Sequence, residues 1–314
     1  MWRVLKSSAL LLLLGISGST VAVERIATPG GQMSIVWKSG FSEGEQTKLR
    51  SWLEHAAQTT SLLNGEFPLR ETRVYVNRAR SSGPVPWAHT IRDSHPEGVE
   101  FHVNPNSSLE DFFSDWTAVH EFSHLFIPYP GRNDIWISEG FASYYQNILM
   151  ARAGVLTERR AWQKLADGFG RGAKDRNAHI SLGDLSARMH RKGAYMRVYW
   201  SGALYFLEAD IALRKRGQSL DAVVAEYNKC CRQKSHYWTG LKLVQSFDQI
   251  AGTELFEPLF KAYQSEYRLR DYSEILARLG ISLKNQRVEF SSDQALQQIR
   301  QKFTRPREFR TPTS

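Results

Sequence analysis

Two cysteines in 314 residues, adjacent at Cys230 and Cys231, are too few and too close to staple distant parts of a fold. A disulfide between chain neighbours is strained and rare, so two semi-buried thiols on a helix are expected. A thiolate zinc site would need four ligands, and nothing near the pair completes one. The chain has no phosphate-binding loop, no dinucleotide fingerprint and no Gly-x-Ser-x-Gly elbow, so nothing supports those enzyme classes. Internal repeats are absent. No apolar run reaches the roughly 20 residues of a membrane-spanning helix. The excess of positive charge is modest, 41 Lys plus Arg against 32 Asp plus Glu. It permits contact with nucleic acid or anionic lipid and identifies neither; no nucleic-acid partner is expected. With 42% hydrophobic and 23% charged residues the chain is globular, and its length suggests two lobes or one large domain, folding without covalent help.

The first segment has the order of a secretory signal: Arg3 and Lys6, an apolar run from Ala9 to Ile16, then small residues. Thr20 and Ala22 suit a cut after Ala22, so residues 1–22 are read as a signal peptide and the protein as exported, periplasmic or secreted. An uncleaved membrane anchor is the competing reading. Residues 23–155 mix strand and helix. Met33–Trp37, Thr72–Val76, Trp87–Ile91 and Gly98–Val103 read as strands. Ser42-Glu-Gly-Glu45 has the form of a capping box ahead of Leu49, Trp52, Leu53, Ala56 and Ala57 at helical spacing, with Gly65 closing that helix. From Ser108 on, nearly everything reads as helix, with starts at Ser181 and Ser219 and stops at Gly217 and Gly280. Residues 156–290 are therefore expected to form a mainly helical lobe. Residues 291–314, basic and poor in apolar groups, read as a loosely held tail that offers contact with an envelope or membrane surface.

The informative string is His120-Glu121-Phe122-Ser123-His124. Four residues on a helix rotate by about 400°, which leaves the two imidazoles on one face a turn apart. Two neutral nitrogens at that separation suit one Zn²⁺, with Glu121 beside them to take a proton from water. Chance alone yields this pattern in about one or two chains per hundred of this composition, so context must support it. Ser108 can cap a helix running through Phe113, Trp116, Thr117, His120 and His124. Pro128, Pro130 and Gly131 then force a reversal, and a second helix starts near Asp134. In an antiparallel helix pair Glu139 comes opposite His124. Two His, one carboxylate and an open fourth position describe a catalytic rather than a structural zinc site.

H-E-x-x-H followed by Trp136-Ile-Ser-Glu139-Gly-Phe-Ala-Ser-Tyr-Tyr resembles the gluzincin metallopeptidases, particularly the glycyl aminopeptidase family and more distantly the leucyl/alanyl-type zinc aminopeptidases. The resemblance implies an α+β fold with a zincin (thermolysin-like) catalytic lobe, a small mixed sheet and a helical second lobe. It implies one zinc per chain held by His120, His124 and Glu139, Glu121 as general base, and a peptide or protein as substrate. Tyr199-Trp-Ser-Gly-Ala is similar to the family's Y-x-K-G-A helix, whose Tyr, here Tyr199, binds the oxyanion; Ser201 stands where the family has Lys. Phe247–Phe256 and Leu279–Leu283 resemble the helical ending of the glycyl family.

Two departures stand out. The 14 residues between His124 and Glu139 are fewer than in the leucyl/alanyl-type enzymes. Those families also carry a Gly-x-x-Glu strand whose Glu holds the substrate's free amine. The nearest match is Gly98-Val-Glu100, one residue out of step, and such a slip turns a side chain to the other face. Glu100 is thus either the amine anchor or a plain edge-strand residue, on a strand expected to pair with the peptide. The remaining histidines, His55, His89, His95, His102, His179, His190 and His236, read as surface or packed groups. The chain is expected to be an exported zinc peptidase, aminopeptidase-like or a small endopeptidase. The alternative is a catalytically silent zinc-binding envelope protein that uses the fold as a scaffold.

Overall fold

The computed structural model describes residues 23–232 and 237–309. The signal segment, His236 and Arg310 lie outside the described residues. The architecture is mixed α+β. β1 (Val23–Thr28) and β2 (Gly31–Trp37) form a hairpin, and α1 (Glu43–Ser61) crosses over to β3 (Glu71–Arg78). β4 (Trp87–Ile91) and β5 (Gly98–Val103) complete a five-stranded sheet in the order β1-β2-β3-β5-β4. β2, β3 and β5 run parallel, and β1 and β4 are antiparallel to their neighbours. β4, not β5, is therefore the edge strand, which corrects the expectation for Gly98–Val103. β5 is held inside by parallel pairing with β3 and antiparallel pairing with β4, an arrangement that sequence order does not reveal.

α1 begins at the expected capping box, in which the Ser42 hydroxyl accepts from the Glu45 backbone and the Glu45 carboxylate accepts from Ser42. It buries Leu49, Trp52, Leu53, Ala56 and Ala57 against Val74, Val76, Val99, Phe101 and Val103 of the sheet. The helix expected to run unbroken from Ser108 is two helices, α2 (Leu109–Ser114) and α3 (Thr117–His124). Asp115 is extended, and its carboxylate accepts from the Thr117 backbone at 2.8 Å, restarting the helix just ahead of the histidines.

A 3-10 turn (Arg132–Asp134) leads into α4 (Ile135–Arg152). There follow α5 (Glu158–Ala173), α6 (Leu182–Ser186), α7 (Met189–Lys192), α8 (Tyr195–Lys215), α9 (Leu220–Cys230), α10 (Gly240–Ala251), α11 (Phe256–Gln264) and α12 (Tyr272–Ala277). A hairpin of β6 (Ile281–Lys284) and β7 (Arg287–Phe290) interrupts the expected helical ending, and α13 (Gln294–Thr304) closes the described chain. Buried side chains form two clusters. One gathers the sheet, α1 and part of α3; the other gathers the apolar side chains of α4 and the later helices, together with Leu62, Leu63 and Val119. α4 is apolar nearly all round and sits at the centre of the helical core.

α4 and α8 cross with their backbones touching. A Cβ on Gly202 would overlap the Trp136 carbonyl oxygen, and one on Gly140 would overlap Gly202 Cα. This contact lies one residue from Glu139 and three from Tyr199. Gly202→Ala is expected to cost about 3 kcal/mol, the upper end of overpacking penalties, and to displace those two side chains. Denaturant unfolding measures the cost, and a variant with wild-type stability would show that the crossing tolerates a methyl group.

The tail is docked, contrary to its reading as loose. Phe303 is buried, Arg300 pairs with Glu158 at 2.8 Å, and Arg307 pairs with Asp221 at 2.9 Å. Its cations thus serve partly as internal partners, a use composition cannot show. Cys230 and Cys231 form a disulfide, which corrects the expectation of free thiols. α9 ends at Cys230, so the helical backbone does not hold the two side chains apart.

Candidate metal centre and cleft

α3 and α4 bring His120, His124 and Glu139 together. Their ligand atoms all lie within 4.8 Å of one another. Glu139 Oε2 stands 3.4 Å from His120 Nε2 and 3.6 Å from His124 Nε2. These are long for hydrogen bonds, and Oε2 is buried with no hydrogen-bond partner among the described residues. Ligands about 2.0–2.1 Å from a tetrahedral zinc sit roughly 3.3 Å apart, close to those separations. An orphaned carboxylate oxygen facing two imidazole nitrogens fits a divalent cation. Burial pushes the Glu139 carboxyl up, and the imidazoles of His124 and His120 outweigh it and hold the carboxyl well below its usual range.

The far side of each ring is held. His120 Nδ1 donates to Gln146 Oε1 at 2.7 Å, and His124 Nδ1 to the Ser138 hydroxyl at 3.0 Å, the assignment that leaves both Nε2 lone pairs toward the centre. Sequence reasoning passed over both partners, yet a signal existed: Gln146 is seven residues after Glu139, two turns along the same face. Arg92 and Arg232 were also missed. Arg92 donates to the carbonyls of His124 and Ile127, and Arg232 to that of Leu125, with Glu97 accepting from both. They satisfy carbonyls that the end of α3 leaves open, where cations also favour the helix dipole.

Glu121, buried beside the histidines, accepts from the Thr90 hydroxyl of β4 at 2.9 Å. Tyr199 lies over His120, rings 6.2 Å apart and 17° from parallel. Burial first, and then the Glu139 carboxylate, raise its phenol far above the usual value, so it stays protonated. These groups line a cleft of about 860 Å³ whose wall is β4. His89 and His190, read as bland, line it too, and His190 Nδ1 shares a 2.9 Å hydrogen bond with the Tyr195 hydroxyl. Nothing in their spacing signalled this, since the chain brings them from separate elements.

Glu100 stands elsewhere. It alternates along β5 with Val99 and Phe101, which face the helices, so its side chain lies on the other face. There it accepts from Asn77 Nδ2 at 2.9 Å and faces His102 Nε2 at 3.1 Å. Glu100 does not itself line the cleft, although His89, its register partner on β4, does.

Residues 129–204 match a family model described as M61 glycyl aminopeptidase, a span that includes Glu139 and Tyr199 and starts just after the histidines. Among solved structures, an aminopeptidase N family protein from Idiomarina loihiensis is similar at 18% identity and a TM-score of 0.64, over 84% of this chain and 50% of that one. An M1 zinc metallopeptidase from Deinococcus radiodurans is similar at 14% identity and a TM-score of 0.50, over 79% of this chain and 52% of that one. The chain spans about half the length of both, and at these identities the likeness is one of fold. No curated protein matches. The chain resembles the gluzincin aminopeptidases both in that family model and in fold.

Proposed function

We propose that the protein is an exported zinc-dependent peptidase whose sheet lobe is a zincin (thermolysin-like) catalytic lobe. The observation that carries this is the orphaned Glu139 oxygen facing two imidazole nitrogens at the floor of an open cleft. His120, His124 and Glu139 would hold one zinc. When bound, the metal supplies Lewis acidity to the scissile carbonyl and to a water molecule.

The chain's own groups do the rest. An extended peptide pairs with the free edge of β4. Glu121, aimed by Thr90, takes a proton from the attacking water and returns it to the leaving amine as the C–N bond breaks. Tyr199, kept protonated, donates its hydroxyl to the oxygen of the carbonyl as charge develops there. A lost donor at such a position typically costs about 100- to 1,000-fold.

The test is metal content with chelator-sensitive cleavage of a mixed peptide library. One zinc per chain is expected, with cleavage lost to chelator and restored by zinc; zinc without cleavage would favour a binding scaffold. Export rests on the leader of residues 1–22, and the Cys230–Cys231 bond supports an oxidising compartment. Protein recovered from the producing cell should begin at Val23, and an intact Met1 would remove the cleaved-signal reading. Envelope contact through the tail would fall to exposed Lys302 and Arg305, since Arg300 and Arg307 pair internally.

A further inference from the structure

We infer that the cleft takes a peptide by its middle, cutting internal bonds beside bulky aromatic or apolar side chains rather than trimming a free amino terminus. The inference rests on the peptidase reading and extends it to the substrate class. Large apolar side chains exposed together mark a recognition surface. Tyr129 is 40% exposed and Tyr195 37%, and both line the cleft. Trp116, also exposed, packs edge-on against His120 with centroids 5.4 Å apart. Tyr195 is already held in place by its hydrogen bond with His190. Restrained rings lose little freedom when a ligand covers them.

The cleft also continues past the metal centre. Arg92, Asp93 and Tyr129 line it together with an adjoining cavity of about 640 Å³. A peptide pairing antiparallel to β4 sends its amino-terminal side past Ile91 into that second cavity, so residues ahead of the cut bond have room. No carboxylate stands on β4 to hold an amine, and Glu100 on β5 is engaged by Asn77 and His102 and does not line the cleft. Among the residues lining the cleft the carboxylates are Glu121, Glu139 and Asp93. The first two belong to the metal centre. Asp93 is exposed where the two cavities meet, a place the chain passes rather than ends.

The experiment uses zinc-loaded full-length protein and paired peptides identical except for a free or acetylated amino terminus, with Phe, Leu, Ala or Glu in the middle. Products are mapped by mass spectrometry. Both members of a pair should be cut at the same internal bond at rates within about threefold. Phe and Leu peptides should exceed Ala and Glu peptides by about tenfold or more in kcat/KM, and Tyr129→Ala should shrink that ratio about tenfold. Stepwise trimming of free-amine peptides alone, the outcome if Asp93 anchors an amine, overturns the inference, as does a missing aromatic preference. If no peptide is cut, the peptidase reading fails, and the groove is then decided by binding. Acetylated Phe and Ala peptides are titrated into Glu121→Gln and followed by tryptophan fluorescence. At least about tenfold tighter binding of the Phe peptide upholds the groove, and equal or absent binding overturns it.

Discussion

Glu121→Gln is expected to lower kcat by about 100- to 10,000-fold while leaving the zinc content of the protein unchanged, the range of a positioned general base. The amide has the size of the carboxylate and still accepts from Thr90, so the link between α3 and β4 survives. What it lacks is the capacity to take a proton. The ligand set is untouched, because Glu121 contributes no atom to the His120, His124 and Glu139 group. Turnover of a cleaved peptide and metal analysis of the same preparation measure the two effects together. Turnover within tenfold of wild type would remove Glu121 from the chemistry.

Asp221→Ala is expected to destabilise the fold by about 3–5 kcal/mol, the cost of leaving buried charge without its partner. Asp221 Oδ2 lies 2.8 Å from Arg152 Nη2, 2.9 Å from Arg307 Nη2 and 3.9 Å from Arg214 Nη2, and Oδ1 accepts from Tyr145 at 3.0 Å. The Arg152 Nη2 contact is an ion pair without hydrogen-bond alignment, so its strength is Coulombic. Removing the carboxylate leaves three guanidinium groups facing one another. Burial raises the Asp221 carboxyl, but Arg152, Arg307 and Arg214 more than offset it, and the folded-state value lies below the ordinary one. The carboxylate therefore contributes its full stability above the unfolded pKa of about 3.9 and loses it as pH falls through the lower folded value. Denaturant titrations at pH 7 and along an acid series check both statements. A loss below about 1 kcal/mol at pH 7 would show that the network relaxes around the gap.

Features that were legible in the sequence are local ones. The Ser42 capping box, the paired histidines and the placement of Glu139 a few residues into the next helix depend on spacing within a turn or one short reversal. The rest depends on partners far apart in the chain. Arg92 and Arg232 reach the end of α3 from a loop after β4 and from beyond α9. Arg307 finds Asp221 across 86 residues, so the tail read as idle from its composition is docked. The interior place of β5 follows from pairing with β3 on one side and β4 on the other. Asp115 breaks a helix whose apolar spacing runs straight through it, because a short carboxylate competes for the backbone.

The strand that would receive a peptide is fastened to the metal helix at two places. Thr90 bonds to Glu121, and Arg92, one residue beyond β4, bonds to the carbonyl of His124. One rung ends on the Glu121 side chain and the other on the His124 backbone, three residues along α3. Under the proposed function, the opening between that wall and the histidines is consequently a fixed gauge rather than a jaw. Substrate segments would be sorted by whether they fit its width as extended chain, and thinning either rung would blur that sorting before it dislodged the metal.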